Sequence, residues 1–303
     1  MQKKFLLTVL LFSLLVGVLS LAGCSEGEVA TILMADPDAD SVVIEGVTLQ
    51  RITELPPVWD IPPRPEAATE AERLTTTTLL QLTPLYIGEL LAIMHTSEGD
   101  IAMRFFPTEA PMAVENFLTH AWDGFYDGII FHRVIPNFMV QTGCPQGVGT
   151  GGHSIWGGHF GQEFSTELRH FRGALAMAQS AMPSSIGSQF YVVQNNSIDA
   201  NTRSNYTSML GQLDEAFHTF PDGSSITYGA MLTEDALNYF MDNGGTPHLD
   251  WHFNENGHTV FGHVVWGMEV VDSIANTSTG ANDRPDNDIT INGFSFFKVQ
   301  GGV

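Results

Sequence analysis

Positive charge is scarce in this sequence. Twelve Lys and Arg stand against 34 Asp and Glu, giving a formal net charge of −22 over 303 residues. Phosphate binding needs a basic face, so nucleic acid is excluded as an expected partner. The same charge favours solubility and repels anionic headgroups. Cysteine is scarcer still: Cys24 and Cys144 are the two in the chain. That excludes a disulfide framework and a cysteine-rich zinc site. Histidines gather loosely at His153, His159 and His170, and again at His248, His252 and His258. Neither group has the cysteines or the helical His-x-x-x-His context of a closed metal site. The Gly-rich stretch GVGTGGHSIWGG lacks the lysine and following helix of a phosphate loop, so its glycines are expected in tight backbone turns. No metal and no cofactor is expected. Two local absences say more. No Asp or Glu lies between Asp127 and Glu163, and no charged residue lies between Arg172 and Asp199.

The ends speak to location. Lys3 and Lys4 precede an apolar run, Phe5 to Leu21, and then Ala22-Gly23-Cys24. The run is at the short end of the roughly 20 residues a membrane span needs. It reads as a secretory signal peptide whose end resembles the lipobox of bacterial lipoproteins. That resemblance implies cleavage before Cys24 and lipidation of Cys24. Residues 1–23 are then the leader, and the remaining chain, two units more negative, is held to a bilayer by acyl chains in the bacterial cell envelope, facing outside the cytoplasm. With Cys24 lipidated, Cys144 has no partner within the chain.

Residues 24–88 read as an acidic, Pro-rich tether with some structure, including PPVWDIPPRP at 56–65. The folded domain is expected over residues 89–300. LLAIMHT and IAMRFF flank a tight turn, as in a hairpin. Pro107 to Trp122 has helical spacing, with Val114, Phe117, Leu118 and Ala121 on one face. A second helix is expected from Gly267 to Ala275. Between them lie short apolar runs separated by Gly-rich turns, the pattern of a β-barrel or sandwich. A polar insertion at about 197–257 interrupts the domain; AMLTEDALNYFMDNGG within it looks helical. A loop that long is usually functional or a small subdomain.

Five segments occur in a specific order: FHRVIPNFMVQTG from Phe131, GTGGHSIWG from Gly149, GALAMAQ from Gly173, GSQFYV from Gly187 and HTVFG from His258. Together they resemble the signature segments of the cyclophilins, which are peptidyl-prolyl cis–trans isomerases. The resemblance runs from about Leu91 to Val299. It implies an all-β fold: a closed eight-stranded antiparallel barrel with two capping helices. It also implies substrates that are unfolded or extended proline-containing polypeptides, and a role in folding exported proteins.

The chemistry fits an otherwise odd arginine. Arg133 sits among Phe131, Val134, Ile135, Phe138, Met139 and Val140, with no carboxylate near it in sequence. Rotation about a peptide bond meets a barrier of roughly 18–20 kcal/mol. As an Xaa-Pro bond twists, the prolyl nitrogen gains a lone pair. A fixed cationic donor aimed at that nitrogen stabilises the twisted state preferentially. Arginine stays charged and holds its donors rigidly; a carboxylate partner would occupy them. The resemblance gives Arg133 this catalytic role and makes Gln141 the residue that holds it in place. It implies a proline pocket from Phe138, Met139 and Tyr191. Position 191 is commonly Phe in the family, so a buried Tyr191 hydroxyl requires a partner or water. Ala178 and Gln179, the latter often Asn in the family, match the strand that pairs with substrate backbone. Gln189 lies near the same groove, and His258 matches a rim histidine.

The family's tryptophan, which contributes to cyclosporin binding, has no clear counterpart. His248-Leu249 is favoured because the Leu-Asp pair that follows is retained; Phe253 and Trp251 are the other claimants. Two other classes of function compete with this one. A cyclophilin-like chaperone or protein-binding module without turnover would have no need of the cation. A solute-binding lipoprotein would need alternating βα patterning, which is absent.

Overall fold

The computed structural model describes residues 36–60, 79–165, 167–182, 184–212, 214–219, 225–227, 233–250 and 257–302. The leader, Cys24, much of the Pro-rich stretch, and Trp251, His252 and Phe253 lie outside the described residues.

Strands β3 (Leu90–Thr96) and β4 (Gly99–Phe105) form the hairpin read from the sequence. Both are buried on both faces, and the alternation of side chains shows why. Ala92, Met94, Ile101 and Met103 point into the main core. Leu91, Ile93 and Ala102 point the other way, onto Ile44, Val47 and Leu49. The latter belong to β1 (Ser41–Ile44) and β2 (Val47–Arg51), which pair with each other and, through β2, with the closing strand β12 (Ile291–Gly301). The sheet therefore extends into the segment expected to be tether, and the fold starts well before Leu90.

The remaining strands are β5 (Arg133–Ile135), β6 (Met139–Thr142), β7 (Ala174–Met177), β8 (Phe190–Val193) and β11 (Val260–Trp266). One antiparallel sheet of ten strands runs β1-β2-β12-β3-β4-β11-β7-β8-β6-β5. This corrects the expected closed eight-stranded barrel. β5 is an edge, and no ladder joins it to β12. The approaches to the two strands touch at a single bridge, Ile130 with Thr290, supported by Phe131 N–H donating to Ile289 O at 2.9 Å and Ile291 N–H to Ile129 O at 2.9 Å. The preceding chain turns through Gly124 and Gly128, at φ 72° and 77°, so it is not extended long enough to pair further.

Two capping helices and a helical stretch within the insertion were expected; the described residues contain four helices. Helix α1 (Pro111–Trp122) buries Val114, Phe117 and Leu118 in the core. It begins at Pro111 rather than Pro107. Its first-turn amides from Met112 and Ala113 donate to the Glu163 carboxylate at 3.0 and 2.8 Å, which satisfies the exposed donors of a helix start. Helices α2 (Ala200–Leu210) and α3 (Glu234–Asn243) belong to the insertion, and α4 (Met268–Ala275) buries Val271 and Ile274. The insertion also holds a two-stranded ribbon, β9 (Ala216–Thr219) with β10 (Ser225–Thr227). The helices of the insertion share a small core of Tyr206, Ala236, Leu237 and Phe240 with Phe171 and Leu79. Phe171 also forms a bridge to Gly245, so the insertion is packed against the sheet rather than hanging from it.

Candidate active site

The β5–β6 hairpin turns at Pro136-Asn137. Asn137 takes φ 57°, a conformation asparagine tolerates, and Phe138 N–H donates to Ile135 O at 3.1 Å. This sets the register that places Arg133 opposite Gln141 and leaves Phe138 at the tip. Arg133 is half-exposed, and its guanidinium carbon lies 5.9 Å from the centre of the Phe138 ring. An aromatic face at that distance attracts the cation by about 0.5–1 kcal/mol at an exposed site.

Below Phe138 lies one apolar cluster. It brings together Met139, Tyr191, Leu249, Ala178 and Phe138 with Phe106, Leu168, Val193 and Val260. The three expected pocket residues, Phe138, Met139 and Tyr191, thus share a single wall with two other expected site residues, Ala178 and Leu249, although the five come from four separate stretches of chain. Met139 and Tyr191 form its floor, at 2 % and 3 % exposure. The ring of His248 stacks on Phe138, with centroids 5.8 Å apart and planes 24° apart. His258 meets Tyr191 edge-on at 5.5 Å, and its Nδ1 lies 3.1 Å from Met177 O. Burial, then the nearby His170, lower the His258 pKa to about 4, so the ring is neutral and Nδ1–H is the donor.

The groove beside this wall is held by amides. Ala178 follows directly on β7 and its N–H donates to Gln189 O at 2.9 Å. Gln179 Nε2 donates to Gly257 O at 3.1 Å. Gln189 Nε2 donates to Gly149 O and Gly151 O at 3.1 and 2.9 Å. The Gly-rich loop therefore does form tight turns here, with Gly151 at φ 99° and Gly152 at φ 88°. A Cβ on Gly152 would lie 2.3 Å from Ser188 Oγ, too close for any other residue. Gln141 faces Arg133 across the ladder, but its Nε2 donates to Gln189 Oε1 at 3.0 Å and its Oε1 accepts no hydrogen bond from the guanidinium.

Three residues of the site were not among the expected site residues. Asp283 supplies the carboxylate that the sequence neighbourhood of Arg133 lacks: its Oδ2 is 3.6 Å from Arg133 Nε. The expectation of an unpartnered arginine is corrected. The pair is half-exposed and beyond hydrogen-bond length, so it is worth about 0–1 kcal/mol. No hydrogen bond engages the two Nη groups of Arg133 among the described residues. Asn282 and Asp283 both take positive φ, 61° and 57°, which is how this loop turns the carboxylate toward β5.

The other two lie beneath Tyr191. Its hydroxyl is 2.9 Å from His170 Nε2, and His170 Nδ1 is 2.5 Å from Asp250 Oδ1, which also accepts from the His170 backbone N–H at 2.8 Å. The partner that a buried tyrosine requires is therefore a histidine held by a carboxylate. Burial and Asp250 raise the Tyr191 pKa well above its ordinary value, so the hydroxyl keeps its proton. Beside Arg133, His132 is buried with its pKa lowered to about 4 by burial, then by Arg133 and Arg284, so its ring is neutral.

The family model for cyclophilin-type peptidyl-prolyl cis–trans isomerases matches residues 91–295. A Staphylococcus haemolyticus protein, provisionally named a peptidyl-prolyl cis–trans isomerase, is 44 % identical over 204 residues, covering 67 % of this chain and 89 % of its own. A Staphylococcus aureus protein with the same provisional name is 42 % identical, covering 67 % of this chain and 90 % of its own. The crystal structure of a Cryptosporidium parvum cyclophilin-type isomerase is similar at a TM-score of 0.49 and 23 % identity, over 71 % of this chain and 99 % of that one.

Proposed function

The chain belongs to the cyclophilin-type peptidyl-prolyl cis–trans isomerases, and from that membership we propose how its residues perform the reaction. An Xaa-Pro segment lies along the groove with its proline ring against Phe138, Met139, Tyr191 and Leu249. An apolar ring seeks an apolar wall, and burying it fixes the prolyl side of the bond while the other side turns. Arg133 stands at the edge of that wall. As the amide twists, conjugation is lost and the nitrogen becomes a hydrogen-bond acceptor; an Nη donor of Arg133 stabilises it there and gains little from the planar ground state. No bond to a nucleophile forms and no proton is transferred.

One observation carries this reading: the guanidinium lies over Phe138 with its Nη groups unengaged, and Asp283 touches it only weakly, at Nε. Asp283 orients the cation without consuming its donors. Gln141, through Gln189, sets the opposite side of the same space. Ala178 and Gln179 offer the substrate backbone an edge beyond β7, and His258 closes the rim as a neutral ring. The cis-to-trans rate of an Ala-Pro peptide, measured for residues 25–303 and for Arg133→Ala with both shown folded by circular dichroism, tests the assignment.

We further propose that the protein works outside the cytoplasm of a bacterium, tethered by acyl chains on Cys24, on proline-containing segments of exported proteins as they fold. The leader Lys3-Lys4, the apolar run and Leu21-Ala22-Gly23-Cys24 support this. Radiolabelled palmitate incorporated by the wild type and not by Cys24→Ser is the expected result; label retained by Cys24→Ser contradicts it.

A further inference from the structure

The insertion packs its helices in a cluster of their own, separate from the proline wall. It forms one wall of a cavity of about 650 Å³, whose lining includes His248. Cavities of this size hold peptide-sized or drug-sized ligands. We propose that this cavity is a second peptide subsite, which takes residues flanking the target proline and prefers uncharged polar or cationic side chains over anionic ones. The inference rests on reading the Phe138–Met139 wall as the proline site.

Continuity is the first argument. The His248 ring stacks on Phe138 and also lines the cavity, and Asn137, the residue before Phe138 in the hairpin tip, lines it too. An extended chain advances about 3.3 Å per residue, so a peptide leaving the proline wall past His248 enters the cavity within a few residues. Chemistry is the second. Asn137 and Asn205 line the cavity, and their side-chain amides engage no hydrogen-bond partner among the described residues. They are free to bond a peptide backbone. Asn195 is fixed in place, its Nδ2 donating to Gly245 O at 2.8 Å and its Oδ1 accepting from Ser197 N–H at 3.1 Å. Charge is the third. Asp199 is the one carboxylate of the lining. It caps α2, accepting from the backbone of Asn201 and Thr202 at 2.8 and 2.9 Å, and these bonds hold its pKa below the ordinary value. A fixed negative charge with no lining lysine or arginine attracts a cation and repels a carboxylate.

The experiment compares fluorescent peptides. One is a short Ala-Ala-Pro-Ala; others add four Ser, Asn or Lys residues on the N-terminal or the C-terminal side, or four Glu residues. Affinity is read by anisotropy and exchange by cis–trans kinetics on residues 25–303. One or two peptide hydrogen bonds correspond to about 3-fold to 30-fold in affinity. The wild type is expected to bind one of the neutral or Lys-extended peptides tighter by that order, and the Glu-extended one without gain. Asn205→Trp crowds the cavity wall with a bulky ring and is expected to bring the extended-to-short ratio to about one. Ser204→Trp, on the opposite face of the same helix, keeps the ratio and controls for folding. Equal affinity for short and extended peptides in the wild type overturns the subsite, as does a ratio that survives Asn205→Trp. Length-dependent binding without any turnover sinks the isomerase mechanism and leaves the subsite standing. Failure to bind any peptide sinks both.

Discussion

The Tyr191 hydroxyl and His170 Nε2 lie 2.9 Å apart in the interior, directly beneath the proline wall. His170 is in turn held by Asp250, one residue past Leu249. A single buried chain of hydrogen bonds therefore ties the floor of the apolar pocket to the end of the insertion that carries His248 and Leu249. Phenylalanine at position 191 would fill the same space but break this chain.

Tyr191→Phe leaves His170 Nε2 buried without its partner, at an expected cost of about 1–3 kcal/mol. The ring stays, so kcat/KM on a short Ala-Pro peptide is expected to fall less than about threefold. His170→Ala strands the Asp250 carboxylate in the interior and costs more, about 3–5 kcal/mol. Urea denaturation of the three proteins checks the order. Equal midpoints for all three mean the chain of bonds contributes nothing.

Truncation before Leu90 removes β1 and β2 and uncovers Leu91, Ile93 and Ala102. It also removes Glu89, whose Oε1 accepts from the buried Arg104 Nε at 2.7 Å. Leaving that guanidinium buried and without its carboxylate costs about 3–5 kcal/mol on its own. A chain of residues 90–303 is expected to be insoluble or to melt well below residues 36–303. Equal melting temperatures would return this segment to the role of a tether.

Acid is expected to destabilise the fold below neutrality. The pKa of His132 and of His258 is lowered to about 4, and that of His263 to about 3, against 6.5 ordinarily, and burial is the first cause in each. The unfolded chain takes up these protons near pH 6.5 and the folded chain only near pH 3–4. Their stabilisation is therefore full above about pH 6.5 and is lost as the pH falls through about 4. Glu109 and Glu163, raised by burial from 4.5, act in the opposite sense near that value and blunt the loss. Urea midpoints at pH 7.5, 6 and 5 should fall in that order; a flat or rising series contradicts the assignment.

Much of the architecture was legible because local pattern dictates it. The β3–β4 hairpin and the apolar face of α1 follow from short-range periodicity and turn residues. The five ordered segments pointed to Phe138, Met139 and Tyr191 as the proline pocket and to Ala178 on the strand beside it, and the fold gathers these with Leu249 in one cluster. What could not be read depends on distant pairings. Asp283 reaches Arg133 across 150 positions through two left-handed residues. His170 reaches Asp250 across 80 positions. Helix α2 has a polar sequence with only Tyr206 buried, so no apolar period announces it. The sheet has ten strands rather than eight because the N-terminal segment adds β1 and β2, which a Pro-rich, acidic composition disguised, and it is open because β5 has no ladder to β12.

The most direct test of the central claim is kcat/KM for cis–trans exchange of an Ala-Pro peptide, measured side by side for residues 25–303, Arg133→Ala and Asp283→Ala. The account predicts a loss on the order of 100-fold to 1,000-fold for Arg133→Ala, the range for removing one transition-state donor, and a change within about fivefold for Asp283→Ala, whose ion pair is weak. Wild-type turnover that survives Arg133→Ala, with both proteins folded, would contradict it.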